Sequence, residues 1–321
     1  MSEAAPQGKP RSALFGRLML GTILVFFGLS AAELVRRWRA EPFELSLSWA
    51  LLSMLPLFVG YAGVAFAFQR ILTTQAPGQA PFPAVFELYC RGLIARYLPA
   101  KVGIPAVRMA AAKEFGVTPA FMAASAVLEA LSSLATAGLL VAGVALGPWP
   151  IVGLSALSTQ PWAPWAIAAI VLGVAMLAAI DVRFYPRQLM TFLRLEQRKG
   201  PLLPLWWIAG EAWLWIANAA SCVLVVRALT GSSEAMLLGG ASGIIAPALG
   251  FFVVIAPGGL GVREAIAVAL MAPEIGATKA LAFGLVSRAV LLVSELVLWL
   301  GARAWLGVAR RAQVEEGTRQ E

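Results

Sequence analysis

Six stretches of the chain are apolar almost without interruption: residues 14–35, 47–68, 120–146, 162–180, 205–229 and 277–306. Each comes close to or exceeds the roughly 20 residues that a helix needs to cross about 30 Å of hydrocarbon. They predict six spanning helices. Two of the segments between them are too long to be plain loops. Residues 82–116 carry Arg91, Arg96, Lys101, Arg108 and Lys113, and are broken by Pro99, Gly103 and Pro105. Residues 234–273 are more apolar; they break at Pro247 and again at Pro257, Gly258, Gly259 and Gly261. Proline lacks the N–H that a helix interior needs, and glycine lets the backbone turn tightly. Both segments therefore read as helix–break–helix.

Basic residues orient the chain. With the N-terminus inside, the cytoplasmic side receives Lys9, Arg11 and Arg17, six basic residues over 70–113, five over 183–199, and Arg303, Arg310, Arg311 and Arg319. That puts 18 of the 25 Lys and Arg inside, as the positive-inside rule expects. Arg36, Arg37 and Arg39 fall outside, where Glu33, Glu41 and Glu44 offset them. In this arrangement 82–116 must enter and leave on the cytoplasmic face, and 234–273 on the outer face. Each is expected to be a re-entrant helical hairpin, because irregular backbone at membrane depth persists only where protein or a water-filled cavity encloses it. Residues 1–13 and 307–321 are expected to be cytoplasmic tails, the first disordered, on either side of one transmembrane domain, 14–306.

The two breaks resemble each other. "YLPAKVGIPAVR" (97–108) and "IAPGGLGVREAI" (255–266) both contain Pro-x-x-x-Gly, and Pro99 and Pro257 are 158 residues apart. Each motif precedes a long apolar helix carrying a charge. These charges, Glu129 and Arg288, are 159 residues apart. The halves, about 47–146 and 205–306, have opposite orientations in the basic-residue count. The pattern predicts an inverted repeat, an arrangement that builds transporters with a site near the membrane midplane. The fold class is all-α, a polytopic membrane helix bundle.

Composition agrees. The chain of 321 residues is 60% hydrophobic and 13% charged, with mean hydropathy +0.80, against about 45–50% and 25% in soluble domains. The net charge of +8 follows from positive-inside loops and calls for no nucleic acid. There is no His, which removes imidazole catalysis and imidazole metal ligation. Cys90 and Cys222 are too few for a metal cluster or a disulfide framework. Asp181 is the single Asp, so acidic pairs for a catalytic metal are scarce. "PGGLG" lacks the third glycine and the βαβ setting of a dinucleotide site. No metal, no cofactor and no catalytic constellation are expected.

Charge deep in a membrane helix costs at least about 2.5–3.5 kcal/mol on insertion scales, so it needs a partner or a polar cavity. Glu129 lies mid-helix, four residues from both Ser125 and Ser133. Arg288 and Glu295, seven apart, share a face. Arg91, Arg96, Lys101 and Arg108 surround the first break. They read either as ordinary cytoplasmic charge or as forks for lipid phosphate. Arg263 and Glu264 open the helix after the second break, where the free N–H groups and dipole favour an anion. Glu211 and Asn218 lie seven apart on the fifth helix, either lining a cavity or bonding between helices. Trp206, Trp207, Trp213 and Trp215 read mostly as an interfacial belt. Glu129, Arg263, Glu264 and Arg288 are expected to form one cluster between the repeats, with Glu129 paired to Arg288.

The motifs "YLPAKVGIPAVR…AVLEAL" and "PGGLGVREA…LVSRAVLLVSEL" resemble the lysylphosphatidylglycerol synthase transmembrane-region family of flippase-like membrane proteins, over roughly residues 15–305. Many relatives carry Gly-Glu where this chain has Gly103-Ile104, and Glu-Arg where it has Glu129-Ala130. The resemblance implies a translocase region expected to lack the family's cytosolic aminoacyltransferase domain. It implies the bacterial cytoplasmic (inner) membrane, both termini cytoplasmic. It implies a lipid translocase for an anionic or modified phospholipid, or a polyprenyl-linked lipid. Membrane lipids are the partners, with a separate lipid-modifying enzyme alongside. The alternatives are a non-transporting accessory subunit of envelope lipid assembly and an intramembrane transferase acting on a lipid phosphate.

Overall fold

A computed structural model of the chain describes residues 28–75, 80–97, 102–146, 205–231, 235–252 and 261–320, together with Gly78, Ser233 and Gly259. The described residues are helical throughout, joined by short turns. Residues 28–40 form α1. Then follow α2 (Leu47–Leu52), α3 (Met54–Gln75), α4 (Phe82–Ala95), α5 (Gly103–Ala111) and α6 (Pro119–Leu146). The second half contains α7 (Leu205–Thr230), α8 (Met236–Phe252), α9 (Val262–Ile275) and α10 (Ala277–Gln320).

Four spans are long and apolar enough to cross a membrane: Leu47–Thr73, Pro119–Gly143, Leu205–Thr230 and Ala277–Ala309. They are the second, third, fifth and sixth helices expected from the sequence. The fourth, 162–180, and most of the first lie outside the described residues. Only 33–44% of each span is buried, yet the outward faces are apolar, with Leu55, Val59, Phe66, Leu131, Ile216, Val297 and Leu300 exposed. Helices that are apolar on every side, yet mostly uncovered, suit a lipid surround. The last helix continues to Gln320, so the segment expected as a tail extends the sixth span in helical form.

Both broken segments are helical hairpins. At the first, a Cβ on Gly103 would collide with the carbonyl oxygen of Ala95, so only glycine lets the start of α5 abut the end of α4. Gly116, at φ 63°, ends the 3-10 turn Ala112–Phe115. Thr118 Oγ1 then accepts the Phe121 N–H at 3.1 Å, which caps α6 ahead of a proline at its first position. At the second, Gly259 and Gly261 have φ 72° and 82°, where other residues are strained. Pro99, Pro257 and Gly258 lie outside the described residues.

Neighbour relations repeat in the two halves. α3 packs on α7 as the central contact. α4 packs on α10 as α8 packs on α6, and α3 on α10 as α7 on α6. Each hairpin also packs on its own long helix, α5 on α6 and α9 on α10. Exchanging the halves leaves these pairings unchanged. The α3–α7 contact is close because it is built from small residues. A Cβ on Gly60 would stand 2.7 Å from the Ala217 Cβ, and one on Gly63 2.8 Å from Trp213, the small-residue packing typical of membrane helices. The expectation that the third and sixth helices meet is not realised: α6 and α10 are not a packed pair, because the hairpins occupy the space between them.

Pro247 sits inside α8 and cannot bond the Gly243 carbonyl one turn back. The Asn218 side-chain amide of α7 donates to that carbonyl instead. The sequence left Asn218 between two roles, and here it has both: it bonds between helices and lines a cavity.

Candidate functional site

Among the described residues thirteen polar or charged ones are buried, including Arg108, Glu211, Glu264, Arg288 and Glu295. These five charged residues gather in three places.

The first is centred on α5 and α6 of the first half and reaches α7. Arg108, on the last turn of α5, is 1% exposed. Its guanidinium lies over the Phe68 ring at 4.1 Å and 5.9 Å from the ring of Tyr89. It donates to Glu129 of α6, and to Ser125 Oγ at 3.3 Å. A buried arginine with a carboxylate, a hydroxyl and two aromatic faces is well satisfied. Glu211 of α7 lies within electrostatic reach of Glu129, Arg108 and Tyr89, beside Ser133 and Trp207. Its Oε1 has no hydrogen-bond partner among the described residues. Trp215 donates to the Ser133 carbonyl at 2.9 Å, and Trp207 is 1% exposed. These two tryptophans thus leave the expected interfacial belt, because α7 turns that face toward α6 and the core.

The second place is within the second half. Glu264, on the first turn of α9, accepts the Gly261 N–H at 2.7 Å and so closes the helix start. Its other oxygen faces Arg288 Nε at 3.7 Å. Arg263 is held between two glycines: a Cβ on Gly250 would stand 2.6 Å from its Cγ, and one on Gly259 2.7 Å from its Nε. Its Nε is buried without a hydrogen-bond partner among the described residues. A cavity of about 50 Å³ opens here, lined by Asn218, Ser242, Arg263, Glu264, Ser287 and Arg288 among others.

The third place joins the halves. Glu295 of α10 is wholly buried and accepts three donors: Tyr61 OH of α3 at 2.8 Å, Tyr97 OH at 2.9 Å, and Arg96. Arg96 and Tyr97 follow directly on α4, at the turn of the first hairpin. Arg288 stands 5.2 Å from the Tyr97 ring. The hairpin turn of one half is thereby fastened to the long helix of the other.

The sequence-based candidates sort accordingly. Arg91 pairs with Glu87 at 3.6 Å along its own helix, with a partly exposed side chain. Lys101 lies outside the described residues. The expected Glu129–Arg288 pair does not form: Glu129 takes Arg108 and Arg288 takes Glu264. Each hairpin packs on its own long helix, so it supplies the partner from within its own half. Glu129 thus stands apart from Arg263, Glu264 and Arg288, which share the cavity. Arg263 and Glu264, adjacent in sequence, serve different ends. Sequence reasoning passed over Tyr61, Tyr97 and Ser242. The chain has only four tyrosines, and their scarcity in apolar helices was the available signal. Outside the membrane helices' core, Glu33 pairs with both Arg36 and Arg37 at 2.7 Å, which offsets two of the three misplaced arginines.

Residues 14–298 match the family model described as the lysylphosphatidylglycerol synthase TM region. The chain belongs to that family. No curated protein matches it. In this family member the matched region takes in both hairpins and all three polar clusters. The chain is a multi-pass membrane protein with a lipid-related role.

Proposed function

We propose that this protein is a lipid translocase of the bacterial cytoplasmic membrane. It moves an anionic or modified phospholipid, or a polyprenyl-linked lipid, between leaflets, and a separate enzyme makes or consumes that lipid. The observation that carries this reading is the contrast between surface and interior. The long helices turn apolar faces outward, while charge is buried inside: Arg96 and Glu295 where the two halves meet, and Glu264 and Arg288 within the second half beside them. A polar interior at the junction of two repeats gives a headgroup a route that acyl chains do not need, since they stay in lipid. Both termini are cytoplasmic in this reading, by the basic-residue count. In this reading the protein itself performs no covalent chemistry.

The test is reconstitution into liposomes with fluorescent phospholipid and a membrane-impermeant quencher. The expected result is leaflet exchange well above protein-free liposomes, and loss of that excess in Glu295→Ala. Exchange equal to protein-free liposomes for anionic, zwitterionic and polyprenyl-linked lipids alike would end the reading.

A further inference from the structure

All three described arginines that the sequence offered for phosphate capture around the first hairpin have protein partners: Arg91 with Glu87, Arg96 with Glu295 and Arg108 with Glu129. Arg263, in the second hairpin, differs. The glycines at 250 and 259 leave room for its stem and hold it, yet among the described residues no carboxylate pairs with it, and its Nε, like that of Arg91, reaches no acceptor. Its neighbour Glu264 is engaged with the Gly261 N–H and faces Arg288. The cavity beside it thus holds two guanidinium groups and one carboxylate, a net positive charge. Ser242 of α8 lines the same cavity; it is 1% exposed and its hydroxyl has no partner among the described residues. Buried donors without acceptors are costly and rare in folded proteins. At about 50 Å³ the space admits a few waters or one small oxyanion.

We infer that the cavity between α7, α8, α9 and α10 is an oxyanion subsite that takes a single phosphate group, with Arg263 and Ser242 as its donors and Arg288 adding positive charge. This rests on the translocase reading for its biological ligand, a lipid phosphodiester, and names the part of the lipid that is recognised. The phosphate enters the cavity, and the rest of the headgroup stays outside it. Selection is therefore by the phosphate, which every phospholipid shares, and the substituent beyond it is read elsewhere or not at all.

The full chain in detergent, titrated with dihexanoyl phosphatidylglycerol and separately with inorganic phosphate, tests this, with chloride as control and thermal unfolding as the readout. The expected result is stabilisation by the short-chain lipid and, at higher concentration, by phosphate, with phosphate competing against the lipid. Stabilisation by the lipid without competition from phosphate would place the lipid elsewhere and overturn the subsite. So would equal effects of phosphate and chloride together with no effect of the lipid. Arg263→Gln should weaken lipid binding at least about tenfold, and Ser242→Ala about threefold, in line with losing a charged and a neutral donor. Ser242→Ala removes only a hydroxyl, so it remains readable if Arg263→Gln fails to fold. Unchanged affinity in Ser242→Ala and Arg263→Gln, or in Ser242→Ala alone where the other does not fold, would refute the assignment. Binding needs no transport, so the two readings separate. Intact binding without leaflet exchange would sink the translocase and leave the subsite. Exchange that survives with no binding at Arg263 would do the reverse.

Discussion

The two halves share a plan and differ in charge. In the first, the hairpin contributes the cation and the long helix the anion, Arg108 with Glu129. In the second, the hairpin contributes the anion and the long helix the cation, Glu264 with Arg288. Equivalent places in the fold hold pairs of reversed polarity. α7, from the other half, brings a second carboxylate, Glu211, near the first half's pair. The second adds a second guanidinium, Arg263. The interior is thus acid-rich on one side and cation-rich on the other. A repeat constrains where a buried charge can be supported, by setting which helices pack. It does not constrain the sign, because either order of acid and base satisfies the same two positions. The halves thus share their packing and differ in charge, and in the second Arg263 and Arg288 stand beside a cavity.

The largest effect should come from breaking the buried cluster around Glu295, which joins the halves. Glu295→Ala leaves Arg96, Tyr61 and Tyr97 without their acceptor. Removal of one partner from a buried pair costs about 3–5 kcal/mol. Thermal unfolding in detergent should show Glu295→Ala as the least stable single variant of those named here. Stability equal to wild type would mean the halves are not held there.

Charge exchange within and across halves sharpens the comparison. Arg108→Glu combined with Glu129→Arg should recover about 0.5–3 kcal/mol relative to the sum of the single variants, the range seen for groups in contact. Glu129→Arg combined with Arg288→Glu should recover nothing beyond additivity. A double-mutant cycle read by unfolding decides between them, and recovery in the second cycle alone would restore the cross-half pair.

The hairpin breaks differ in kind. Gly261→Ala should cost about 1–2 kcal/mol, the left-handed backbone penalty. Gly103→Ala should cost more, because its Cβ meets a backbone carbonyl rather than strained torsions alone. Similar costs at both would contradict the steric account of Gly103. Smallest of all, Arg91→Gln should change stability by about 0.3–0.5 kcal/mol, since its pair with Glu87 is partly exposed and local to one helix. A loss as large as that of Glu295→Ala would show that Arg91 has a buried role.

Much was determined by sequence alone, and for local reasons. Apolar runs of 20 or more residues have few options but to span. The combined proline and glycine around 99–103 and 257–261 favour a break, and the described hairpin legs stop and start there, whereas the break expected at Pro247 is absent because α8 runs through it. That charge must be satisfied inside the bundle was also legible, because its cost does not depend on the partner. Which partner it finds was not legible. Glu129 and Arg288 looked like mates because they are equivalent in the repeat, yet equivalent positions are related by symmetry and need not touch. Packing of each hairpin on its own long helix put Arg108 beside Glu129 and Glu264 beside Arg288. Packing also brought Tyr61, Arg96 and Tyr97 to Glu295, which lies 234, 199 and 198 residues away along the chain. Whether an arginine is committed or free to meet a ligand depends on such contacts between distant helices. Only the tertiary structure sets them, because the identity of a side chain says what it needs and not what stands next to it.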